Sequence, residues 1–249
     1  METNSDNRKR ESSLTADRVL QMLRLLAETR GPVGVTSAAA ALSISAAAAH
    51  RLLQSPVSNG FATQGDGRQY ELGPGVLRLA QGYLGSIDIR EQCRPLLQFT
   101  CTQSGETVCL IIPAASQRIC VDYALSRHEI GHIPEVGQSH PLTAGAVGRA
   151  FMSTMPPQDI ARLGRQAALN GSQPADWEDR LEQGRENGYF VATSEVIPDM
   201  NGAAVPLYNS RREVACVLSI TGPAYRWTTE LIDQVLPKIT AASRDFVVV

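Results

Sequence analysis

Two histidines and a glutamate in one short segment have the types and spacing of a metal site. His128, Glu129 and His132 follow the pattern H-E-x-x-H, which is typical of zinc hydrolases. That chemistry needs a helix, because only a helix places both imidazoles on one face with the glutamate beside the metal-bound water. Gly131 and Pro134 disfavour a helix, and no third ligand stands out. We therefore predict a loop or strand pair of histidines, no catalytic residue, no metal and no cofactor, with a zinc-dependent hydrolase as the alternative.

Other reactive patterns in the sequence are weak. The five cysteines are odd in number and include no C-x-x-C pair, so they indicate reduced thiols in a cytoplasmic protein. A cysteine–histidine nucleophile is a further enzyme hypothesis, but no spacing selects one cysteine. The sequence contains neither a G-x-S-x-G elbow nor a phosphate-binding loop ending in G-K-S/T. These patterns do not indicate an enzyme.

Composition bounds the remaining classes of protein. The 249 residues are 43% hydrophobic and 19% charged, which is ordinary for a globular chain of one or two domains. Residues 1–80 carry nine Lys/Arg and seven Asp/Glu, whereas the rest of the chain carries fourteen and eighteen. No apolar run approaches the roughly 18 residues of a membrane span, and the polar start predicts no signal peptide. A mildly basic front and an acidic back are typical of a DNA-binding head on a non-binding body.

The elements of that head follow one another over residues 13–73. An amphipathic helix after Ser13 ends near Gly31, a short helix covers 36–42, and 43–45 form a tight turn. Ser45 is placed to cap a second short helix, which Pro56 should end. Two short helices about such a turn predict a helix-turn-helix.

A hairpin completes the pattern. Strand-like runs at 60–64 and 69–72 flank Asp66-Gly67, a strong hairpin signal, with Arg68 at its tip. Helices and hairpin in this order predict a winged helix-turn-helix, although an alanine-rich pair of packed helices is the plainer reading. The residues that we expect to contact DNA are Ser45, Ala46, Ala47, Ala48, His50, Arg51, Gln54 and Arg68.

The rest of the chain predicts a second domain. Residues 1–12 are predicted to be a disordered arm, 74–87 a linker helix that could pack on its copy in a second subunit, and 88–249 an α/β domain. Within 88–249, a helix interrupted by Pro95 precedes two strand-like runs at 107–113 and 118–124. Three helices, three further strands and a closing helix follow. This order predicts an α+β protein with a largely antiparallel sheet.

The chain resembles the IclR family of bacterial transcriptional regulators from about residue 13 to 240. The resemblance is carried by the shared order of short motifs: His50-Arg51-Leu52-Leu53, Tyr70-Glu71-Leu72-Gly73, Gly105-Glu106-Thr107-Val108-Cys109-Leu110, Pro141-Leu142-Thr143-Ala144, Gly148-Arg149-Ala150, Asn187-Gly188-Tyr189, Ala203-Ala204-Val205-Pro206 and Leu218-Ser219-Ile220-Thr221-Gly222-Pro223. It implies a winged-helix DNA-binding domain, a linker helix and a GAF/profilin-like domain for a small effector, often an organic or aromatic acid. It further implies a homodimer or homotetramer on a palindromic double-stranded operator, acting as repressor or activator.

Two departures from the family pattern concern function. Alanines stand at 46–48, where relatives carry polar residues, so readout would depend on Ser45, His50, Arg51, Gln54 and Arg68, or on DNA shape. Arg51 could instead form a surface ion pair, and His50 could simply pack. A sensor with a degenerate DNA-binding head is therefore a third hypothesis.

The second departure lies in the effector pocket. Ala192 and Gly202 stand where relatives that bind keto acids tend to carry an aspartate and a cysteine, which predicts a less polar, roomier pocket and a different effector. Thr143, Ala144 and Gly145 stand at the start of a predicted helix, and the free N–H groups there would suit a carboxylate. Core packing is the alternative role for Cys109, Met200 and Ala204. The residues that the resemblance places in the pocket are Cys109, Thr143, Ala144, Gly145, Ala192, Met200, Gly202 and Ala204.

Overall fold

The structure, a computed structural model, describes the backbone of residues 3–29, 31–86, 89–169, 171 and 174–248. The chain divides into two compact units, residues 1–87 and 88–249. No helix in the described part of the chain is both long and apolar enough to cross a bilayer.

The first unit is a winged helix-turn-helix. Tyr70, Leu53 and Met22 are fully buried in its core, where α1 and α3 pack together with the wing. Its three strands form one antiparallel sheet in the order β1-β3-β2. The elements are α1 (Thr3–Glu28), β1 (Val33–Gly34), α2 (Val35–Ala41), α3 (Ala46–Ser58), β2 (Ala62–Gln64), β3 (Gln69–Leu72) and α4 (Gly75–Ser86).

Two details of this unit differ from the sequence-based expectation. Helix α1 begins at Thr3, so residues 3–12 are helical rather than irregular; no Gly or Pro interrupts residues 3–28. Residues 1 and 2 of the predicted arm lie outside the described residues. Helix α3 continues through Pro56 to Ser58 instead of ending before the proline. Proline removes only one N–H donor, and the last turn is still held because Asn59 donates to the Ser55 carbonyl from its backbone and its side chain.

The second unit consists of helices packed on a curled, mostly antiparallel sheet. The sheet has the order β10-β8-β9-β4-β5-β6, with β7 paired to β8. Among the described strand pairs of this unit, β10 and β8 alone run parallel. The elements are α5 (Ile89–Ser104), β4 (Thr107–Ala114), β5 (Gln117–Ala124), β6 (Ser139–Pro141), α6 (Gly145–Met152), α7 (Pro157–Leu169), α8 (Trp177–Asn187), β7 (Phe190–Thr193), β8 (Met200–Asn209), β9 (Val214–Pro223), α9 (Thr229–Ser243) and β10 (Val247–Val248).

The core of this unit lies between the central strands of the sheet and the helices that cover them. Residues 107–112 of β4 are buried without interruption, as expected for a central strand covered by helices. Helix α6 is buried along its whole length and packs against β7, β8 and β9. Pro95 lies within α5 and does not interrupt it, while β6 and β10 are too short to show a pattern in the sequence.

Gly184 allows α8 to pack tightly on β7, which gives a stability prediction. A Cβ at this position would lie 2.1 Å from Cδ1 of Phe190, a buried ring that cannot yield easily. We expect Gly184→Ala to destabilise the second unit by about 1–3 kcal/mol through overpacking, despite alanine's higher helix propensity. Both tryptophans, Trp177 and Trp227, lie in this unit, so their fluorescence during urea unfolding reports on it alone. The exposed neighbour Gln183→Ala is the control and should leave the midpoint unchanged or higher.

Candidate functional site

The first candidate site is the face of the head formed by α3 and the wing. Ser45 precedes α3 with extended backbone, and its side chain accepts a hydrogen bond from the Ala48 N–H at 3.2 Å. This bond satisfies one of the free donors at the helix start and fixes where α3 begins. The tight turn before it includes Ser43 with φ of +53°. The turn thereby sets the angle between α2 and α3.

A groove runs between α3, the start of α2 and the tip of the wing. Four of the predicted DNA contacts line its α3 side, namely Ala46, Ala47, His50 and Arg51, and Arg68 lines the opposite side. The side chain of Gln54 lies outside this lining but approaches His50, with 3.4 Å between the two Nε2 atoms. Ser45 and Ala48 also lie outside the lining.

The cations of this groove are available to a ligand. Arg51 is exposed, and neither it nor Arg68 has an ion-pair partner among the described residues. The surface ion pair considered for Arg51 is therefore not formed in the described part of the chain. Gly67 and Arg68 both have positive φ, at 67° and 59°, so the wing turns tightly and holds the Arg68 backbone in one place. Two unpaired cations across a groove suit phosphate groups.

The second candidate site is a cavity of about 80 Å³ inside the second unit. One water position needs about 10–15 Å³ on this measure, so the volume corresponds to about five to eight waters, the size of a small organic molecule. The walls come from strands β4 to β9, the start of α6, and loops 125–138 and 194–199. Apolar groups of Ile111, Val147, Val196, Ile197 and Met200 line much of the surface.

Arg118 is the dominant charge in this cavity. It lies on β5 with only 6% of its surface exposed, and its guanidinium donates a hydrogen bond to the carbonyl of Ala144. No carboxylate among the described residues forms an ion pair with it. Burial lowers the pKa of Arg118 to about 10, which still leaves it charged at neutral pH. A buried cation without a counterion is costly to the folded protein and favours an anionic ligand.

Two histidines stand beside Arg118. His140 on β6 is directly opposite Arg118 in the β5–β6 register, and His132 reaches the same cavity from loop 125–138. Burial lowers the pKa of His132, and burial together with the charge of Arg118 lowers the pKa of His140. Both imidazoles are therefore neutral at pH 7 in the unliganded protein.

A thiol pair lines the floor of the cavity. Cys109 on β4 and Cys120 on β5 are both buried. Their mutual hydrogen bond, together with burial, raises the pKa of the Cys109 thiol, so it stays protonated.

An ion-pair network holds the loop that closes the cavity. Arg149 of α6 is fully buried and donates to both carboxylate oxygens of Glu195, at 2.8 and 2.9 Å, and to the carbonyl of Val191. Arg180 of α8 donates to the same carboxylate at 2.9 Å. The carboxylate of Glu195 is therefore committed to two arginines, although the residue also lines the cavity. This network fixes loop 194–199 against α6.

Six of the eight predicted effector residues line or border the cavity. Cys109, Ala192, Met200 and Gly202 line the cavity. Ala144 and Gly145 border it: Ala144 accepts the hydrogen bond from Arg118, and Gly145, at φ of +60°, packs under Val196.

Two of the predicted pocket residues lie elsewhere in the structure. Thr143 lines a separate surface groove with residues of α7, and Ala204 is fully buried in the core with Ala150 and Phe190. Ala204 lies far enough along β8 that α6 already covers the strand. The cavity also has polar side chains at positions that the resemblance did not place in the pocket: Arg118, His132, Gln138, His140, Glu195, Ser219 and Thr221.

The H-E-x-x-H segment does not form the helix that zinc catalysis requires. Residues 125–135 are irregular, His128 is exposed, and His132 lines the cavity. Among the described residues, no three His, Cys, Asp or Glu side chains are grouped so as to hold a metal ion. No signal within β5 singles out Arg118, because the same strand also carries Gln117 and the charged Asp122.

Comparisons with known proteins account for both units. A family model described as the IclR helix-turn-helix domain matches residues 15–66, and one described as the bacterial transcriptional regulator IclR C-terminal matches residues 81–248. The second match alone covers more than half of the chain.

Characterised relatives and solved structures agree with these matches. The chain is 28% identical to the glycerol operon regulatory protein of Streptomyces griseus, over 92% of this chain and 94% of that protein. It is 24% identical to the transcriptional repressor IclR of Escherichia coli, over 92% and 86% respectively. The fold is similar to the crystal structure of an IclR family transcriptional regulator from Brucella abortus, with a TM-score of 0.78, 22% identity, and coverage of 92% and 89%. These relatives are regulators, not enzymes.

The cap at Ser45 gives a prediction for the head. We expect Ser45→Ala to destabilise the first unit by about 1 kcal/mol, because the Ala48 N–H loses its acceptor. Ser45→Asn is the matched control, since asparagine caps as well as serine and should restore stability. Thermal unfolding followed by the helical circular dichroism signal measures both. Equal melting of the alanine and asparagine variants would show that the cap does not contribute.

Proposed function

The chain belongs to the IclR family of bacterial transcriptional regulators, and from this premise we propose how its two candidate sites act. The head binds double-stranded operator DNA with α3 in a major groove and the wing tip on the neighbouring backbone. Arg51 and Arg68 bind phosphates, which gives affinity that depends on salt. Ala46 and Ala47 face the same groove, so base readout rests on methyl contacts, His50 and DNA shape.

The protein acts as a homodimer in the cytoplasm, on an operator that is palindromic. Helix α4 supports the dimer, because Leu77, Leu79 and Tyr83 expose 64%, 64% and 53% of their surfaces. A set of large apolar side chains on one short helix is unusual on a monomer surface and is typical of an interface. Two heads related by a twofold axis read two half-sites in opposite orientations.

The cavity of the second unit binds the effector, a small organic acid. The observation that carries this proposal is the buried guanidinium of Arg118, which faces the cavity without a carboxylate partner among the described residues. An incoming carboxylate would supply the missing counterion, and the free N–H groups at the start of α6 would add donors. The acid changes DNA affinity only if it binds the DNA-competent and DNA-incompetent states unequally.

The DNA interface is tested with single arginine substitutions. We expect Arg51→Ala and Arg68→Ala each to weaken binding to DNA upstream of the gene, and to lower the slope of log affinity against log salt by about one. Fluorescence anisotropy across a salt series, against a scrambled duplex, provides the measurement. Arg24→Ala is the control, because Arg24 lies on α1 and pairs with Glu28.

The outcome also separates the proposed regulator from a sensor with a degenerate head. Preference for the upstream duplex supports an operator-reading regulator. Equal binding to both duplexes, with the salt slope intact, would contradict sequence-specific readout and point to the alanines of α3.

The acid site is tested by removing its cation. We expect Arg118→Met to abolish binding of carboxylates while leaving the melting temperature of the unliganded protein equal or higher, because an unpaired buried charge is lost. Thermal shift with a panel of small organic acids measures both effects. The exposed Arg165→Gln on α7 is the matched control and should keep every shift of the wild-type chain. Unchanged acid binding in Arg118→Met would contradict the assignment.

A further inference from the structure

We propose that the cavity recognises a compact dicarboxylate, with Arg118 binding one carboxylate and His132 and His140 binding the other as they take up a proton. The inference rests on the proposed function, in which this cavity holds an organic acid. It adds the number of acidic groups on the ligand and the proton that accompanies binding.

The geometry brings three nitrogen-bearing side chains to one wall. His140 and Arg118 are paired residues on adjacent strands, and His132 reaches the same cavity from loop 125–138. Among the described residues, neither imidazole ring has a hydrogen-bond partner. Half-buried polar rings without a partner are poorly satisfied in the empty cavity. A second carboxylate would satisfy both.

Two of the three remaining titratable groups of the cavity do not supply that second anion. On the described lining the three groups are Glu195, Cys109 and Cys120. Glu195 is already bound by Arg149 and Arg180, and the Cys109 thiol is protonated. The hydrogen bond with Cys109 lowers the pKa of the Cys120 thiol, and the Cys120→Ser variant below tests whether this thiol contributes to the proton count. The wall formed by Arg118 and the two histidines therefore carries one positive charge in the empty state, and more only if the histidines are protonated.

The sign of the pH dependence follows from these charges. Both histidine pKa values are below their ordinary value in the empty cavity, partly because Arg118 repels the protonated form of His140. A carboxylate placed against the rings neutralises that repulsion and raises their pKa values. Binding then takes up a proton near neutral pH, so affinity increases as the pH falls. The cavity volume of about 80 Å³ suits two carboxylates joined by a short spacer.

The experiment compares diacids with their half-amides on the full-length chain. Isothermal titration calorimetry uses malonate, succinate and glutarate, and the half-amide of each, at about pH 6.5 and about pH 8.5. Repeating each titration in two buffers of different ionisation enthalpy counts the protons. We expect one diacid to bind roughly tenfold or more tightly than its half-amide, to take up about one proton, and to weaken roughly tenfold or more at the higher pH.

Variants assign the proton to the imidazoles. His132→Gln and His140→Gln should each reduce the proton uptake and bring the diacid toward the affinity of its half-amide. His128→Gln is the control, because His128 is exposed in the same loop and does not line the cavity. Cys120→Ser should keep the uptake, and its loss there would assign the proton to a thiol and overturn the inference. Tryptophan fluorescence verifies folding, and the wild-type proton count does not depend on any variant.

The failures are distinguishable. Half-amides or monocarboxylates that bind as tightly as the diacids, without proton uptake, overturn the dicarboxylate inference and leave the organic-acid proposal intact. Absence of binding by every carboxylate, including acetate, pyruvate and benzoate, overturns both.

Discussion

The central feature of the second unit is a buried positive charge that no carboxylate of the described residues neutralises. Arg118 projects from β5 into a small cavity where its guanidinium has one carbonyl partner and no carboxylate among the described residues. Such a charge lowers the stability of the empty protein. The proposed anionic effector would supply the missing counterion, and its binding would stabilise the folded unit.

The contrast with Arg149 shows that this arrangement is specific. Arg149 on α6 is also buried, but both oxygens of the Glu195 carboxylate accept hydrogen bonds from its guanidinium. That pair fixes loop 194–199, and the loop closes the cavity beside Gly145. Arg149 therefore holds the loop beside the cavity, whereas Arg118 is the arginine that we propose binds the effector.

The head uses its cations differently. Arg51 and Arg68 are exposed at opposite sides of a shallow groove, so water solvates them and no ligand is needed for stability. In the proposed interface they act through long-range attraction to phosphates, which is screened by salt. The cap at Ser45 and the positive φ at Gly67 and Arg68 fix where these side chains begin, which is the part of recognition that the backbone controls.

Local sequence determined most of the fold. Periodicity, caps and the Asp66-Gly67 turn were sufficient for the winged helix-turn-helix, and the motif order was sufficient for the family and the fold class. The predictions that Pro56 ends a helix and that Pro95 interrupts one were wrong. The loss of one N–H ends a helix only where neighbouring packing does not support it. The two-residue strand β10 and three-residue β6 exist only through their neighbours, so no pattern within them could reveal them.

The composition of the proposed effector cavity was decided by tertiary structure. The positions of Cys109, Ala192, Met200 and Gly202 on its lining were predictable, because a family resemblance supplies positions. Arg118, His132 and His140 were not, since they come from a strand, a loop and a neighbouring strand that meet only when β5 pairs with β6. The H-E-x-x-H pattern suggests a zinc ligand at His132, but spacing along the chain fixes side-chain geometry only inside a regular helix, and this segment is irregular. The sequence alone determined most of the helices and strands and the family to which the chain belongs. The meeting of distant side chains in one desolvated cavity, which sets their charges and partners, required the folded sheet.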